Sequence, residues 1–169
     1  MTPAWWKKST PENIKPVPWI GTEAKRYFAE LLKPHMIVLE FGAGGSTLWM
    51  ADKVKEIISI ENNAGWLDAV HDRSLKNVTL YYWTEPHPPE FEQLFDLVFI
   101  DGEPIEWRAN WIKELPRLVK PGGFVVLDNA NRPEYKNERR WLKAKAVHIA
   151  SKKGNGGTYT WTEFYKWLG

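Results

Sequence analysis

The 169-residue sequence contains no cysteine. Disulfide bonds, thiolate metal sites and cysteine nucleophiles are therefore excluded. The sequence also lacks any apolar run close to the roughly 20 residues that cross a bilayer, and no apolar segment follows Lys7 and Lys8 as a secretory signal would require. We therefore expect a cytoplasmic protein that does not bind membranes.

A strong excess of one charge is also missing, because the net charge is only +2. With so small a net charge, we expect no nucleic-acid partner. The exception is the segment 132–153, in which eight Lys or Arg face only two Glu. We interpret it as the solvated face of a helix, with a polyanion as the alternative.

The length and the composition are those of one globular domain spanning residues 1–169. Residues 1–19 contain four prolines and three tryptophans, a pattern that predicts an irregular N-terminal arm. Thr22 is expected to cap a first helix, which ends before Pro34. Short apolar runs then alternate with helical patterns. The predicted strands are 36–41, 56–60, 78–82, 97–100 and 124–127, and the predicted helices between them are 46–53, 64–73 and 106–118.

This alternation predicts an α/β fold with a parallel sheet, because strands that are apolar throughout are buried on both faces by helices. The tail departs from the pattern. The strand-like segments 146–150 and 159–164 are joined by residues rich in Lys and Gly, too few for a helical crossover. They are predicted to pair as an antiparallel hairpin.

A glycine-rich turn is the strongest local signal, in the segment 38–48, which reads VLEFGAGGSTL. A buried strand here runs into a turn and a helix start. Glycines let the backbone bend tightly and let a ligand approach where a Cβ would collide. The next strand ends at Glu61, nineteen positions after Gly42. An acidic residue at this spacing can accept hydrogen bonds from the hydroxyls of a ribose.

The sequence resembles the class I S-adenosylmethionine-dependent methyltransferases. Their first motif, acidic-x-G-x-G, is matched by Glu40, Gly42 and Gly44. The segments FDLVFIDG at 95–102 and LPRLVKPGGF at 115–124 are similar to the family's fourth strand and its turn into the fifth. The resemblance implies a Rossmann-like fold: a mostly parallel seven-stranded sheet, helices on both faces and a C-terminal antiparallel hairpin. It also implies S-adenosylmethionine as cofactor, bound by Glu40, Gly42, Ala43, Gly44, Ser46, Glu61, Asn62, Trp83 and Asp101.

Asp101 and Asp128 follow neighbouring predicted strands and are the candidate catalytic residues. With Asn129 they are similar to the Asp and Asp-Asn ligands of metal-dependent catechol-type O-methyltransferases, which implies a site for Mg²⁺ or another divalent cation. No lysine corresponds to that family's catalytic lysine. In the alternative interpretation, Asp101 contacts cofactor or solvent, while Asp128 and Asn129 cap a turn.

These features predict a methyltransferase that acts on a small-molecule acceptor, most simply by O-methylation. Five tryptophans are candidates for the wall of the acceptor pocket, and His87 is a candidate base in a rim loop. A nucleic-acid methyltransferase is one alternative, and a non-catalytic module that binds S-adenosylmethionine or a nucleotide is another. The sequence predicts neither the acceptor nor the oligomeric state. The candidate pocket tryptophans are Trp5, Trp6, Trp19, Trp107 and Trp111.

Overall fold

The structure is a computed structural model that describes residues 10–153 and 161–169. Helices and strands alternate along the described chain, as predicted for an α/β protein. Helices are α1 Thr22–Leu31, α2 Gly45–Met50, α3 Ala64–His71, α4 Arg108–Glu114 and α5 Lys136–Lys145. Strands are β1 Ile37–Phe41, β2 Glu56–Glu61, β3 Val78–Tyr82, β4 Phe95–Ile100, β5 Val119–Leu127, β6 Ala146–Lys153 and β7 Trp161–Trp167.

The seven strands form one sheet in the order β3-β2-β1-β4-β5-β7-β6. The first five strands are parallel to one another. β7 pairs antiparallel with β5 and with β6, which confirms the predicted hairpin. The chain moves outward from β1 to β2 and β3 and then crosses to β4 on the other side of β1. Ligands bind in such sheets at this reversal of strand order.

Helices cover both faces of the sheet, as the resemblance implied. On one face, Phe28 of α1 and Met50 of α2 pack on Val38, Leu97 and Phe99. The alternate strand residues point to the other face, where α4 and α5 cover them. There the Phe41 ring is stacked on Trp111, with 4.6 Å between centroids. Burial of both faces explains why the central strands are apolar throughout.

Several predicted boundaries were wrong for local reasons. Thr22 does not cap α1, because it already has helical backbone geometry and Gly21 occupies the cap position. The helix predicted over 46–53 ends at Met50. The segment 106–118 is a 3-10 turn, the short helix α4 and a second 3-10 turn containing Pro116. Proline has no N–H to continue a helical ladder.

β5 begins five residues earlier than predicted, at Val119, because the segment interpreted as a turn joins the sheet through an irregular register opposite Phe95 and Leu97. Gly122 lies in this irregular part of β5 and has a left-handed backbone conformation, with φ +79°. α5 carries five of the eight Lys and Arg residues of the basic segment 132–153, and four of these five are exposed.

The described part of the arm, residues 10–19, is irregular apart from a 3-10 turn at Pro11–Asn13. Ile14 is buried, and its carbonyl oxygen accepts a hydrogen bond from Nη2 of Arg73 at 2.9 Å. The arm passes so close to the start of α2 that a Cβ on Gly45 would lie 2.4 Å from the carbonyl oxygen of Lys15. The arm is therefore packed on the domain. Trp5 and Trp6 lie outside the described residues. Across the described ranges, no helix is both long and apolar enough to cross a membrane.

Candidate functional site

A cavity of about 410 Å³ opens at the carboxyl ends of the parallel strands. The strand ladder continues one residue past the strands: Asp101 N–H donates to Phe41 O at 3.0 Å, and Asp128 N–H donates to Ile100 O at 3.0 Å. These bonds place both aspartates on the rim. The cavity is lined by Val17, Trp19, Gly42, Ala43, Gly44, Gly45, Ser46, Glu61, Asn62, Asn63, Trp66, Asp101, Gly102, Glu103, Arg108, Asp128 and Asn129.

Most of the residues predicted to bind the cofactor therefore lie around one space, together with all three predicted metal ligands. Two of the predicted cofactor residues are placed elsewhere. Glu40 lies beneath the glycine turn, and Trp83 lines an adjacent small recess that Glu61 and Asn62 also border.

Gly42 of the glycine turn has φ +103°, a conformation that side chains strongly disfavour. A Cβ on Gly42 would also lie 2.6 Å from the Cα of Gly102. Gly44 is different, because a Cβ there would meet only the Trp66 ring, at 3.8 Å. Gly42 is thus required by the fold, whereas Gly44 leaves open space toward the cavity.

Glu40 is completely buried, and its carboxylate accepts hydrogen bonds from the hydroxyls of Ser46, Thr47 and Ser59. Burial raises the pKa of Glu40 to about 7, although the three hydroxyl donors oppose this shift. The Thr47 hydroxyl also accepts a bond from the Gly44 N–H at 2.9 Å. Glu40 therefore acts on the cavity by shaping the turn, and its predicted contact with a cofactor stays a prediction.

Glu61 ends β2 and is 8% exposed. Its Oε1 accepts hydrogen bonds from the N–H groups of Asn62 and Asn63, at 2.9 and 2.7 Å. Burial raises the pKa of Glu61, and backbone donors, including that of Ala43, oppose the rise. The carboxylate is thus held in one orientation at the cavity wall. Such a preorganised acceptor suits the hydroxyl groups of a ligand.

The carboxyl groups of Asp101 and Asp128 lie side by side. Burial raises the pKa of Asp101 well above its ordinary value, and the negative charge of Asp128 adds to the rise. Burial also raises the pKa of Asp128, against the hydrogen bond from Thr162. Two neighbouring carboxyl groups of this kind favour holding a proton between them. The pair is therefore able to accept or return a proton in the cavity.

Arg108, the first residue of α4, was missed by the sequence analysis. It is only 1% exposed. Its Nε donates to Gly102 O at 2.8 Å, Nη1 to Asp128 O at 2.8 Å and Nη2 to Asp101 O at 2.6 Å. The guanidinium thus joins the ends of β4 and β5. The one available signal was an arginine on an otherwise apolar helix face, since Trp111, Ile112 and Leu115 pack on the sheet from the same segment.

The predicted metal ligands do not fit a divalent cation in this arrangement. Asp128 Oδ1 accepts a bond from the Thr162 hydroxyl at 2.6 Å, and Oδ2 accepts one from the Asn129 side-chain amide at 2.9 Å. Nη2 of Arg108 lies 3.5 Å from Asp101 Oδ1. Within the described ranges, no group of three His, Asp or Glu side chains is arranged to hold a metal ion. Protein donors already reach both carboxylate oxygens of Asp128, and the Arg108 cation lies beside one oxygen of Asp101.

Aromatic side chains form part of the cavity and its neighbouring recess. Trp19 and Trp66 line the cavity and contact edge to face, 5.4 Å between ring centroids. Trp107 and Trp111 line the recess. The predicted base His87 lines neither space, because its ring lies 3.3 Å from Glu114 on the exposed surface.

No protein-family model matches the chain, and no curated protein matches it. Solved structures do. The chain is similar to the N-methyltransferase NodS from Bradyrhizobium japonicum WM9, with a TM-score of 0.67 and 15% identity over 88% of this chain and 98% of that one. A putative methyltransferase from Streptococcus mutans in complex with SAH has a TM-score of 0.67 and 13% identity, over 90% of this chain and 100% of that one. An rRNA methylase from Streptococcus thermophilus has a TM-score of 0.67 and 11% identity, over 95% of this chain and 98% of that one.

These similarities, at 11% to 15% identity, show the fold alone. The chain has the class I methyltransferase fold, as the resemblance predicted.

Proposed function

We propose that the protein is an S-adenosylmethionine-dependent methyltransferase that acts on a small-molecule acceptor. The observation that carries the proposal is the cavity itself, which brings the glycine turn and the oriented Glu61 carboxylate together at the reversal of strand order. Similar structures solved with the cofactor product SAH support the same choice of ligand.

In the proposed reaction, S-adenosylmethionine supplies an activated methyl group, and the protein aligns the acceptor with it. Such alignment is the main task in an in-line displacement. Glu61 and the turn at 42–46 hold the donor. The arm residues Val17 and Trp19 wall the cavity and limit access of water. The Asp101 and Asp128 pair borders the same space, where it can take the proton that a hydroxyl or amine acceptor loses.

The volume of about 410 Å³ lies within the range of small-molecule sites, at its lower end. This supports a compact acceptor beside the donor. O-methylation remains the expected outcome for a hydroxyl acceptor, with the carboxyl pair as base. It no longer draws support from a metal, because the predicted ligands do not fit one.

Calorimetric titration with S-adenosylmethionine and S-adenosylhomocysteine tests the donor site. We expect both to bind, and Glu61→Ala to weaken binding roughly 10- to 100-fold, the cost of losing hydrogen bonds to a charged group. Glu56→Ala, at the opposite end of the same strand, is the matched control and should bind like the wild type. Failure of the wild type to bind either ligand would contradict the proposal.

A nucleic-acid acceptor is the second candidate, favoured by the basic residues of α5 and by the likeness to an rRNA methylase. Lys136, Arg140 and Lys145 are exposed on this helix. Binding to RNA that weakens steeply with salt, and that is lost when these three residues become Gln, would support it. A module that binds the donor without turnover is distinguished by the absence of S-adenosylhomocysteine production over an acceptor panel.

A further inference from the structure

Among the described residues that line the cavity, Arg108 is the one cationic side chain, and four carboxylates are also present. The other charged lining residues are Glu61, Asp101, Glu103 and Asp128. A buried guanidinium is destabilising unless its nitrogens are hydrogen-bonded and an opposite charge lies nearby. Both conditions are met here, since Nε, Nη1 and Nη2 each donate to a carbonyl oxygen and Nη2 lies 3.5 Å from Asp101 Oδ1.

The hydrogen bonds of Arg108 end on three residues that line the cavity at the ends of β4 and β5. Gly102 and Asp101 follow β4, and Asp128 follows β5. The phenol of Tyr135 adds a second donor to Asp128 O, at 3.2 Å, and also donates to Asn129 O. Arg108 thus sets the separation of two neighbouring loops, and with it the separation of the two carboxyl groups.

Arg108 also supplies the charge that a metal would otherwise bring. Like charges at close range repel, and two carboxylates stay together only with a nearby cation or a shared proton. Nη2 of Arg108 lies 3.5 Å from Asp101 Oδ1, Nη1 donates to the backbone carbonyl oxygen of Asp128, and the side chain is buried. A divalent ion at the same place would meet this positive charge directly.

We propose that Arg108 is a positioning residue that holds Asp101 and Asp128 side by side and excludes divalent cations from the cavity. In this arrangement a permanent internal cation supplies the positive charge beside the two carboxyl groups. The inference relies on the proposed methyltransferase function only for what the two carboxyl groups serve, since the charge arrangement is a property of the protein alone.

Manganese titration tests this inference, with free Mn²⁺ followed by electron paramagnetic resonance. The wild type should not bind Mn²⁺ in the cavity, and adding Mg²⁺ or a chelator should leave its affinity for S-adenosylhomocysteine unchanged. In Arg108→Gln, the two carboxylates lose their counter-charge. We expect Mn²⁺ affinity to rise at least roughly tenfold, because ligand charge sets divalent affinity, and Asp128→Asn in the same chain should abolish the gain.

Two control variants separate this role from a merely structural one. Arg108→Lys keeps the positive charge and should not gain Mn²⁺ binding, even though it makes fewer bonds. Arg117→Gln removes a partly exposed arginine that pairs with Glu114 outside the cavity, and should behave as the wild type.

One Mn²⁺ bound by the wild type, and lost on Asp101→Asn, would overturn the inference. So would a folded Arg108→Gln variant with no gain over Arg117→Gln. If Arg108→Gln does not fold, the wild-type titration still decides, because it needs no variant. Failure of the wild type to bind S-adenosylhomocysteine would instead count against the proposed function.

Discussion

Glu40 lies beneath the glycine turn with its carboxylate surrounded by three hydroxyl donors. Its position explains why an acidic residue can open such a turn without touching the cavity. The carboxylate bonds Ser46 and Thr47 at the start of α2, and Ser59 on the neighbouring strand β2. It therefore links three elements at the point where the turn leaves the sheet.

Glu40 should make stability depend on pH. Its pKa is about 7 in the folded chain and near 4.5 in the unfolded chain, so the folded chain keeps a proton that the unfolded chain has released. The resulting stabilisation is present below about pH 4.5 and is lost as pH rises to about 7, up to roughly 3 kcal/mol. Urea unfolding at pH 5 and pH 8 measures this loss.

Glu40→Gln is the matched variant, because an amide keeps the shape of the side chain without titrating. Its free energy of unfolding should fall less between pH 5 and pH 8 than that of the wild type. The buried carboxyl groups of Glu61, Asp101 and Asp128 are present in both proteins, so the difference between the two reports Glu40 and its charge interaction with Glu61 and Asp101. Equal pH dependence in the two proteins would show that Glu40 does not carry a raised pKa.

Gly42 and Gly44 belong to one motif but should respond differently to alanine. Gly42→Ala should lower the free energy of unfolding by at least roughly 1 to 3 kcal/mol, because φ is positive and the Cβ collides with the Gly102 backbone. Gly44→Ala should stay within about 0.5 kcal/mol of the wild type. Urea unfolding of both variants is the measurement, and similar losses in the two would refute the distinction.

Single residues were predictable where a strand end determined their place. Glu61, Asp101 and Asp128 each follow an apolar run, and parallel strands carry their ends to a common edge. Arg108 was not predictable in this way, because its role depends on carbonyl oxygens of Asp101, Gly102 and Asp128, which a sequence pattern does not show. The donors that compete with a metal for the carboxylate oxygens were not predictable for the same reason, since they come from Arg108 and Thr162, distant in sequence.

Among the elements, α5 is attached to the C-terminal hairpin by a buried ion pair. Glu163 on β7 is 1% exposed, and its two carboxylate oxygens accept bonds from Nε and Nη2 of Arg139, both at 2.7 Å. Lys143 lies 3.5 Å from the same carboxylate. Part of the basic segment therefore has a structural use, which the charge pattern alone did not reveal.

Arg139→Gln should destabilise the protein by roughly 2 to 3 kcal/mol. This is below the cost of breaking a fully buried pair, because Arg139 is partly exposed and Lys143 remains near Glu163. Arg140→Gln, the exposed neighbour on the same helix, should leave the free energy of unfolding nearly unchanged. Urea unfolding compares the two, and equal stability of both variants would argue against a structural ion pair.

The sequence predicted the strands better than the helices. Central strands are apolar on both faces, so their patterns were distinct, and the strands predicted over 36–41 and 56–60 match β1 and β2 to within one residue. The helices covering the sheet are short, and 3-10 turns at Ile105–Trp107 and Leu115–Arg117 flank α4. Their apolar spacing continues through these turns, which is why one helix was predicted over 106–118.

For the whole molecule, binding of the donor should raise thermal stability. A ligand at about 100 times its Kd adds roughly 2.7 kcal/mol to the folded state. For a chain of this size, that corresponds to a rise in Tm of roughly 5 to 10 °C. A thermal melt with S-adenosylhomocysteine measures the rise, and Glu61→Ala at the same ligand concentration should show a much smaller one. An equal rise in the variant would place the ligand elsewhere.

The contact between Gly42 and Gly102 has a consequence for how such a protein can diversify. The glycine turn and the loop after β4 both line the cavity, and their backbones touch at these two glycines with no side chain between them. Lengthening or rebuilding either loop would displace the other, so the backbone of the cavity resists change here. We expect related proteins to differ instead at the cavity side chains away from this backbone contact, such as Trp19, Glu103 and Asn129.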